Sequence, residues 1–395
     1  MKRRNNSKLI IIVPDGMADE RIPDLGNKTP LEVARKPNID FIFKNGITGV
    51  VKNIPDNLEP GSDVANFSIL GVNSASNKIG RGILEAFAKD IKINNNEYVF
   101  RANFVTIKND LMIDYSGGNI DNNEAKKIIE QLNKYINSFV RFYSGVGYRN
   151  LAVIKYKNRI DIKTVPPHDI IGKDIKDYLP KGKDSKIIID IMFRTKDIIA
   201  KLRKKSSANM LWLWGEGSKP KNLKSFYDNY KLKGAVISAV DIIKGIAKLL
   251  KMDVIKVPGI TGDYKTNYKN KALFAIKNLN KYDVIYIHIE APDEASHHGN
   301  YIEKIKAIEK IDKMIVGEIL KSKKDLSILL LPDHITSCLK RTHIKKPVPF
   351  IFYSPKIKPN HNFEKFSEAI LENPPLFIEN GHKLLKNFIK LIFWN

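Results

Sequence analysis

The sequence predicts an α/β protein, a doubly wound sheet with a smaller inserted α+β domain, and three observations carry that prediction. Lys8–Val13 (KLIIIV), Tyr282–Ile289 (YDVIYIHI) and Leu326–Leu331 (LSILLL) are short apolar runs with the texture of strands buried on both faces. Segments of helical period lie between such runs, as parallel strands require. The stretch from about residue 86 to residue 184 differs, reading as strand, polar helix and paired strands, which suits a separate small layer. The expected division is therefore 1–85 and 185–395 for the main domain and 86–184 for the insertion.

Taken in order, Lys8–Val13 is a strand that stops at Pro14-Asp15-Gly16. Thr29 can cap a helix that enters at Pro30 and runs to Phe43, broken into two pieces by Pro37. Pro60-Gly61-Ser62 turns into a helical stretch through Leu70. Within the insertion, FRANFVTI is a strand, Glu124–Tyr135 a helix, and VRFYSGVGYRNLAVIKY a strand pair. The main domain is expected to resume with a helix over Ile187–Lys204 and a strand over Ala208–Trp214. Gly234–Leu250 has helical period, Val254–Val257 reads as a short strand, and Glu303–Leu320 is a helix between the last two buried strands.

The 395-residue length favours one large domain plus a smaller one, and 43% hydrophobic content is ample for a core. One cysteine, Cys338, excludes an internal disulfide and fits a reducing cytosol. No run approaches the roughly 20 apolar residues of a membrane span. The N-terminal apolar run is too short for a secretion signal, so a cytoplasmic protein is expected. The net charge of +24 raises the possibility of a nucleic-acid partner, which would gather Lys and Arg on one face. Here the lysines are spread along the whole chain, so the reading is a solvated basic surface that suits an anionic small substrate, with no nucleic acid bound.

Three of the buried runs lead into an acid: Asp15, Asp293 and Asp333. A lone Asp there is ordinarily a turn or cap residue. Ligand sites of open α/β sheets form beyond the carboxyl ends of the strands, and three converging carboxylates call for cations. Histidines accompany them. Asp293 and His297 stand four residues apart, on one face of a helical turn. His334 follows Asp333 directly, so both reach one site only if the chain leaves the strand at Pro332, and His343 lies nine residues beyond His334. Carboxylate with imidazole suits Mn²⁺ or Zn²⁺ better than Mg²⁺ or Ca²⁺. His288, inside a strand, reads as structural, and His298 would face away from His297 on a helix. In PGSDVAN, Ser62 sits at a helix start, where it either caps the helix or, activated by a metal, serves as a phosphoryl-accepting nucleophile.

The ordered segments VPDGMADERIPDLGNKTPLEVARKPNID, PGSDVANFSILG, GRGILEA, VPPHDIIGK, SANMLWLWGEG, GAVISAVDIIKGIAKL, APDEASHHG and PDHITSCLKRTH resemble the archaeal-type 2,3-bisphosphoglycerate-independent phosphoglycerate mutases of the alkaline phosphatase-like superfamily. The resemblance runs from about Ile10 to LFIENGHKLLKNFI near the C-terminus. It implies two divalent ions, Mn²⁺ foremost with Zn²⁺, Co²⁺ and Mg²⁺ as alternatives. Asp293, His297 and His343 would hold one; Asp15, Asp333, His334 and the Ser62 oxygen would hold the other. It implies interconversion of 3- and 2-phosphoglycerate through phosphorylated Ser62, with Arg81, Arg149, His168 and Asp169 as candidates for gripping the small phosphorylated acid. Homoserine kinase-like phosphotransfer and a metal-dependent phosphomonoesterase remain alternatives. PDHITSC departs from the family's PDHPTP, and LEAFAKDIKI and GITGDYKTNY also drift, without removing a candidate ligand.

Overall fold

The computed structural model describes residues 7–76, 79–136, 139–157, 160–322 and 325–394. They divide into two compact units, Met1–Asn77 with Leu223–Asn395, and Lys78–Asn222.

The first unit is built on an eight-stranded mixed sheet in the order Phe377–Ile378, Ile47–Val51, Val348–Tyr353, Leu326–Leu330, Lys8–Pro14, Val284–Ile289, Gly234–Ile237, Asp253–Val254. Lys8–Pro14 lies in the middle, parallel to Val284–Ile289 on one side and to Leu326–Leu330 on the other. These are the three apolar runs, and they are buried on both faces because helices cover the sheet twice. Ile10, Ile12, Ile285, Ile287, Ile328 and Leu330 pack with Ile39, Ile42, Ile308 and Ile315 on one face. On the other, Phe352 stacks on Phe388 of the Leu384–Phe393 helix, and Tyr286 reaches the Ser62–Ile69 helix.

Local signals explain the entry helices. The Thr29 hydroxyl accepts from Glu32 N at 3.1 Å while the Glu32 carboxylate accepts from Thr29 N at 2.8 Å, a reciprocal cap on Pro30–Val33. A second helix starts at Pro37 and runs to Lys44, so the proline divides the pattern as its missing N–H requires. The helix after Asn300 runs Tyr301–Ile311, passes through a π turn at Asp312–Val316 and ends at Lys321.

The second unit is a five-stranded antiparallel sheet around Glu97–Lys108, which pairs with Leu111–Asp114, Arg149–Lys155 and Met210–Ser218; Val140–Val146 extends it beyond Arg149–Lys155. Helices Asn122–Tyr135 and Ser185–Leu202 contribute to its core.

Four expectations change. The inserted unit spans Lys78–Asn222 rather than 86–184. Met210–Ser218, expected in the main sheet as Ala208–Trp214, pairs antiparallel with Tyr98–Val105 instead, and the helix before it follows it into that unit. A buried apolar run does not announce which sheet it joins. Gly234–Leu250 is not one helix: Gly234–Ile237 is a strand parallel to Val284–Ile287, and the helix is Asp241–Leu249. A short apolar run satisfies both periods, and tertiary pairing decided this one. The strand expected over Val254–Val257 is confined to Asp253–Val254.

Candidate metal centre

The central strands of the first unit bring their ends together. Val13 and Pro14 are in register with His288 and Ile289, and Ile12 with Leu330, so the chain emerges from three adjacent strands at one level of the sheet. Asp15 N donates to Ile289 O at 2.9 Å, which anchors the first acid against its neighbour. Gly16 then turns with φ +59. A Cβ on Gly16 would stand 2.4 Å from Thr336 Oγ1 and 2.7 Å from Asp293 Oδ1, so glycine is demanded by both backbone and space.

Asp293 and His297 lie on the short helix Ala291–His297, with His297 Nε2 3.2 Å from Asp293 Oδ2. His343 comes from a two-stranded ribbon, Thr342–Ile344 paired with Ile335–Ser337. Its Nε2 is 3.4 Å from Asp293 Oδ1 and 3.0 Å from His297 Nε2. Asp333 and His334 follow the end of the Leu326–Leu330 strand, where the chain has left regular pairing, so adjacent residues can serve one site. His334 Nε2 stands 3.5 Å from Asp15 Oδ1, 3.5 Å from Asp333 Oδ2 and 3.2 Å from Ser62 Oγ.

Ser62 opens the helix Ser62–Ile69, but the cap position is Gly61 and the serine side chain makes no capping bond. It faces His334. One turn on, Asn66 donates to Ser62 O at 2.7 Å and to Asp333 Oδ2 at 2.9 Å, and it accepts from the Tyr286 hydroxyl. Asp333 Oδ1 accepts from Gly16 N at 3.1 Å and His334 N at 2.9 Å. The carboxylate is thus fixed from three directions.

The electrostatics demand a counter-charge. Asp15 is fully buried, neither carboxylate oxygen has a hydrogen-bond donor, and its carboxyl is held well above the usual range by burial and then by the Asp333, Asp293 and Glu290 carboxylates. Burial likewise pushes Glu290 up to about 8, with Asp293 adding to it. Burial works against ionised Asp293 too, yet the His297 and His343 hydrogen bonds prevail and its pKa falls well below the usual value. His297 rises to about 9, chiefly through its bond to Asp293. Orphaned buried carboxylate oxygens beside imidazoles whose Nε2 atoms face one another form a donor set that fits divalent cations.

Several participants escaped the sequence. Glu290 directly follows a buried strand, the same signal that exposed the three acids. Asn66 stands four residues after Ser62, on its helix face. His288 lies in a strand as expected, but its Nε2 is 3.1 Å from Asp15 Oδ2 and its Nδ1 3.6 Å from Glu290 Oε2, so it belongs to the acid cluster. Lys304, fully buried, binds Asp19 Oδ2, Ala18 O and Thr336 O at 2.8, 3.2 and 2.8 Å and pins the ribbon's backbone. Breaking such a buried pair costs about 3–5 kcal/mol.

The four anticipated substrate residues all belong to the second unit, and His168 among them lies against Trp214. His168 sits in the Pro167–Ile170 turn, its ring 5.5 Å from Trp214 and 6.1 Å from Tyr115, and Asp169 Oδ1 is 3.7 Å from its Nε2. Burial lowers the His168 pKa, and Arg101 and Arg81 lower it further. Arg149 lies 5.2 Å over Tyr148, and Arg81 starts the helix Arg81–Ala88. Arg101, missed in the sequence because it sits mid-strand, lies 4.3 Å over Trp214 and pairs with Glu85 at 2.7 Å. Arg81 and Arg149 both repel it, so three guanidinium groups share this cluster.

Gly16→Ala tests how tightly the centre is packed. Gly26 has φ +65 with nothing within 4 Å of an added methyl, so Gly26→Ala is expected to cost only the left-handed backbone penalty of about 1–2 kcal/mol. Gly16→Ala is expected to cost more in thermal unfolding and to displace Thr336 and Asp293, lowering metal affinity at least tenfold. Equal effects of the two variants in calorimetry and metal titration would refute the crowding argument.

Comparison with known proteins gives a consistent picture. The family model described as the Metalloenzyme superfamily matches residues 7–374. A 2,3-bisphosphoglycerate-independent phosphoglycerate mutase of Methanothrix thermoacetophila is 45% identical over 87% of this chain and 90% of its own length. One from Methanosarcina barkeri is 40% identical over 97% of this chain and 99% of its own. Among solved structures, a Pyrococcus horikoshii protein superposes with TM-score 0.82 at 25% identity, covering 98% of this chain and 97% of that one. A cofactor-independent phosphoglycerate mutase from Thermoplasma acidophilum does so with TM-score 0.71 at 25% identity, covering 98% and 100%.

Proposed function

Because the chain belongs to the 2,3-bisphosphoglycerate-independent phosphoglycerate mutases of the Metalloenzyme superfamily, we propose that it interconverts 3-phosphoglycerate and 2-phosphoglycerate through a phosphoserine at Ser62. The observation that carries the reading is the Ser62 hydroxyl, uncommitted to capping and 3.2 Å from His334 Nε2 at the edge of the acid–imidazole cluster.

Membership of that superfamily brings divalent metal binding with it. Asp293, His297 and His343 would hold one ion, and Asp15, Asp333, His334 and Ser62 Oγ the other, Mn²⁺ being the favoured identity. Bound there, the pair supplies a lowered serine pKa and neutralisation of the transferring phosphoryl group. The chain does the rest. Asn66, Gly16 N and His334 N hold Asp333 in one orientation. Ser62 Oγ takes the phosphoryl group from the 3-oxygen of the substrate, leaving glycerate, and returns it to the 2-oxygen. The amides of the first helical turn favour the phosphate while it is on Ser62. Arg81, Arg101 and Arg149, with His168 and Asp169, supply the groups suited to a small phosphorylated acid, guanidinium matching carboxylate or phosphate bidentately.

The deciding assay supplies purified protein with 3-phosphoglycerate and Mn²⁺ and omits 2,3-bisphosphoglycerate. Formation of 2-phosphoglycerate is expected; release of inorganic phosphate alone would make the protein a phosphomonoesterase. Chelation is expected to abolish turnover and re-added divalent ion to restore it. Ion uptake should also release protons, since the metal-free His297 keeps its proton up to about 9. Apparent affinity should therefore fall as pH drops below that value, by up to about tenfold per unit for this group. Affinity unchanged between neutral and pH ~9 would remove His297 from the ligand set.

A further inference from the structure

We propose that the Thr336 hydroxyl is a positioning group that couples the two halves of the metal centre, orienting Asp293 and fixing the tautomer of His334. The inference rests on the ligand assignment above and adds a residue to it.

Thr336 Oγ1 is 2.6 Å from Asp293 Oδ1 and 3.1 Å from His334 Nδ1, and the residue is fully buried. A hydroxyl has one proton, and an ionised carboxylate accepts only, so the Thr336 proton goes to Asp293. Toward His334 the oxygen can then offer only a lone pair. Nδ1 must carry the hydrogen, and Nε2 keeps its lone pair. That is the atom facing Ser62 Oγ, Asp15 and Asp333. A histidine ligand is ordinarily set in this way by the bond its other nitrogen makes. Here the partner is a threonine that also holds an acid assigned to the other ion.

The hydroxyl cannot drift. Thr336 N donates to Ala18 O at 3.2 Å, and Thr336 O accepts from buried Lys304 at 2.8 Å. Across the ribbon Thr336 is in register with His343, whose Nε2 stands 3.4 Å from the same Asp293 Oδ1. Water has no access to replace the lost oxygen at a site with no exposure.

The test uses the full chain and three proteins: wild type, Thr336→Val, which keeps the shape, and Thr336→Ser, which keeps the hydroxyl. Mn²⁺ titration by calorimetry is expected to show two ions per wild-type chain. Both should bind about 10–100-fold more weakly to the valine variant, the range for lost supporting bonds to metal ligands, and nearly normally to the serine variant. Valine binding at wild-type strength, loss at one ion alone, or equal impairment of serine and valine would overturn the coupling. A wild type that binds no pair of ions would instead sink the metal reading. Nitrogen-15 spectra of histidine in metal-free wild type give a readout independent of variants and ions. His334 is expected with hydrogen on Nδ1, and hydrogen on Nε2 would refute the proposal even if the variants fail to fold.

Discussion

Ser62→Ala is expected to reduce phosphoglycerate interconversion by about 10⁴-fold or more, the scale on which removal of a covalent nucleophile acts. The fold should survive, because the helix Ser62–Ile69 is capped at Gly61 and the serine side chain supports no capping bond. Ion binding should survive at the half-site of Asp293, His297 and His343, whose contacts do not include Ser62. Wild type incubated with substrate and quenched in acid should carry one phosphoryl group on the peptide containing Ser62, and the variant none. Substantial residual turnover by the alanine variant would place the phosphoryl acceptor elsewhere.

Asp15→Asn is expected to work in two directions at once. As a ligand, the carboxylate is replaced by a neutral amide at the centre of the acid cluster, so uptake of one ion and turnover should both fall by orders of magnitude. As a structural group, Asp15 strains the metal-free protein. Burial and then the Asp333, Asp293 and Glu290 charges raise its folded pKa well above the ordinary value. The unfolded chain therefore ionises first, and an acid raised in this sense lowers stability at every pH above its unfolded value. Metal-free Asp15→Asn should unfold at a temperature several degrees above metal-free wild type at neutral pH. That gain should vanish as pH falls into the ordinary carboxylate range, where both states of wild type are protonated. Added Mn²⁺ should then stabilise wild type far more than the variant. A variant less stable than wild type without metal at neutral pH would show that Asp15 is not held against its own charge.

Much of this centre was legible because its chemistry is local in the chain. Asp15, Asp293 and Asp333 end apolar runs, and the Asp293–His297 spacing closes on a single helical turn. Ser62 was ambiguous between cap and nucleophile, and the placement of Gly61 at the cap position removes the first reading and leaves the second as the proposal. Glu290 and Asn66 carried signals of the same kind and could have been found. Thr336, His288 and Arg101 could not. Each owes its role to what a distant strand or helix brings beside it: Asp293 for Thr336, Asp15 for His288, Trp214 for Arg101.

The domain boundary shows the same limit. Met210–Ser218 reads as a buried strand from its residues alone, yet its pairing with Glu97–Lys108 rather than the main sheet depends on which edge was open to it. Gly234–Ile237 became a strand because the edge of Val284–Ile289 was available.

By itself, then, the sequence determined the α/β class, the three central strands and the acids and imidazoles at their ends. Periodicity and residue type act over a few positions, within reach of any single segment. The tertiary structure alone decided that those strands are immediate neighbours with Lys8–Pro14 between the other two, that Ser62 faces His334, and that the buried Thr336 hydroxyl touches both Asp293 and His334. Contacts of that kind join residues hundreds of positions apart, and strand pairing and side-chain packing, which no local pattern encodes, bring them within hydrogen-bonding distance.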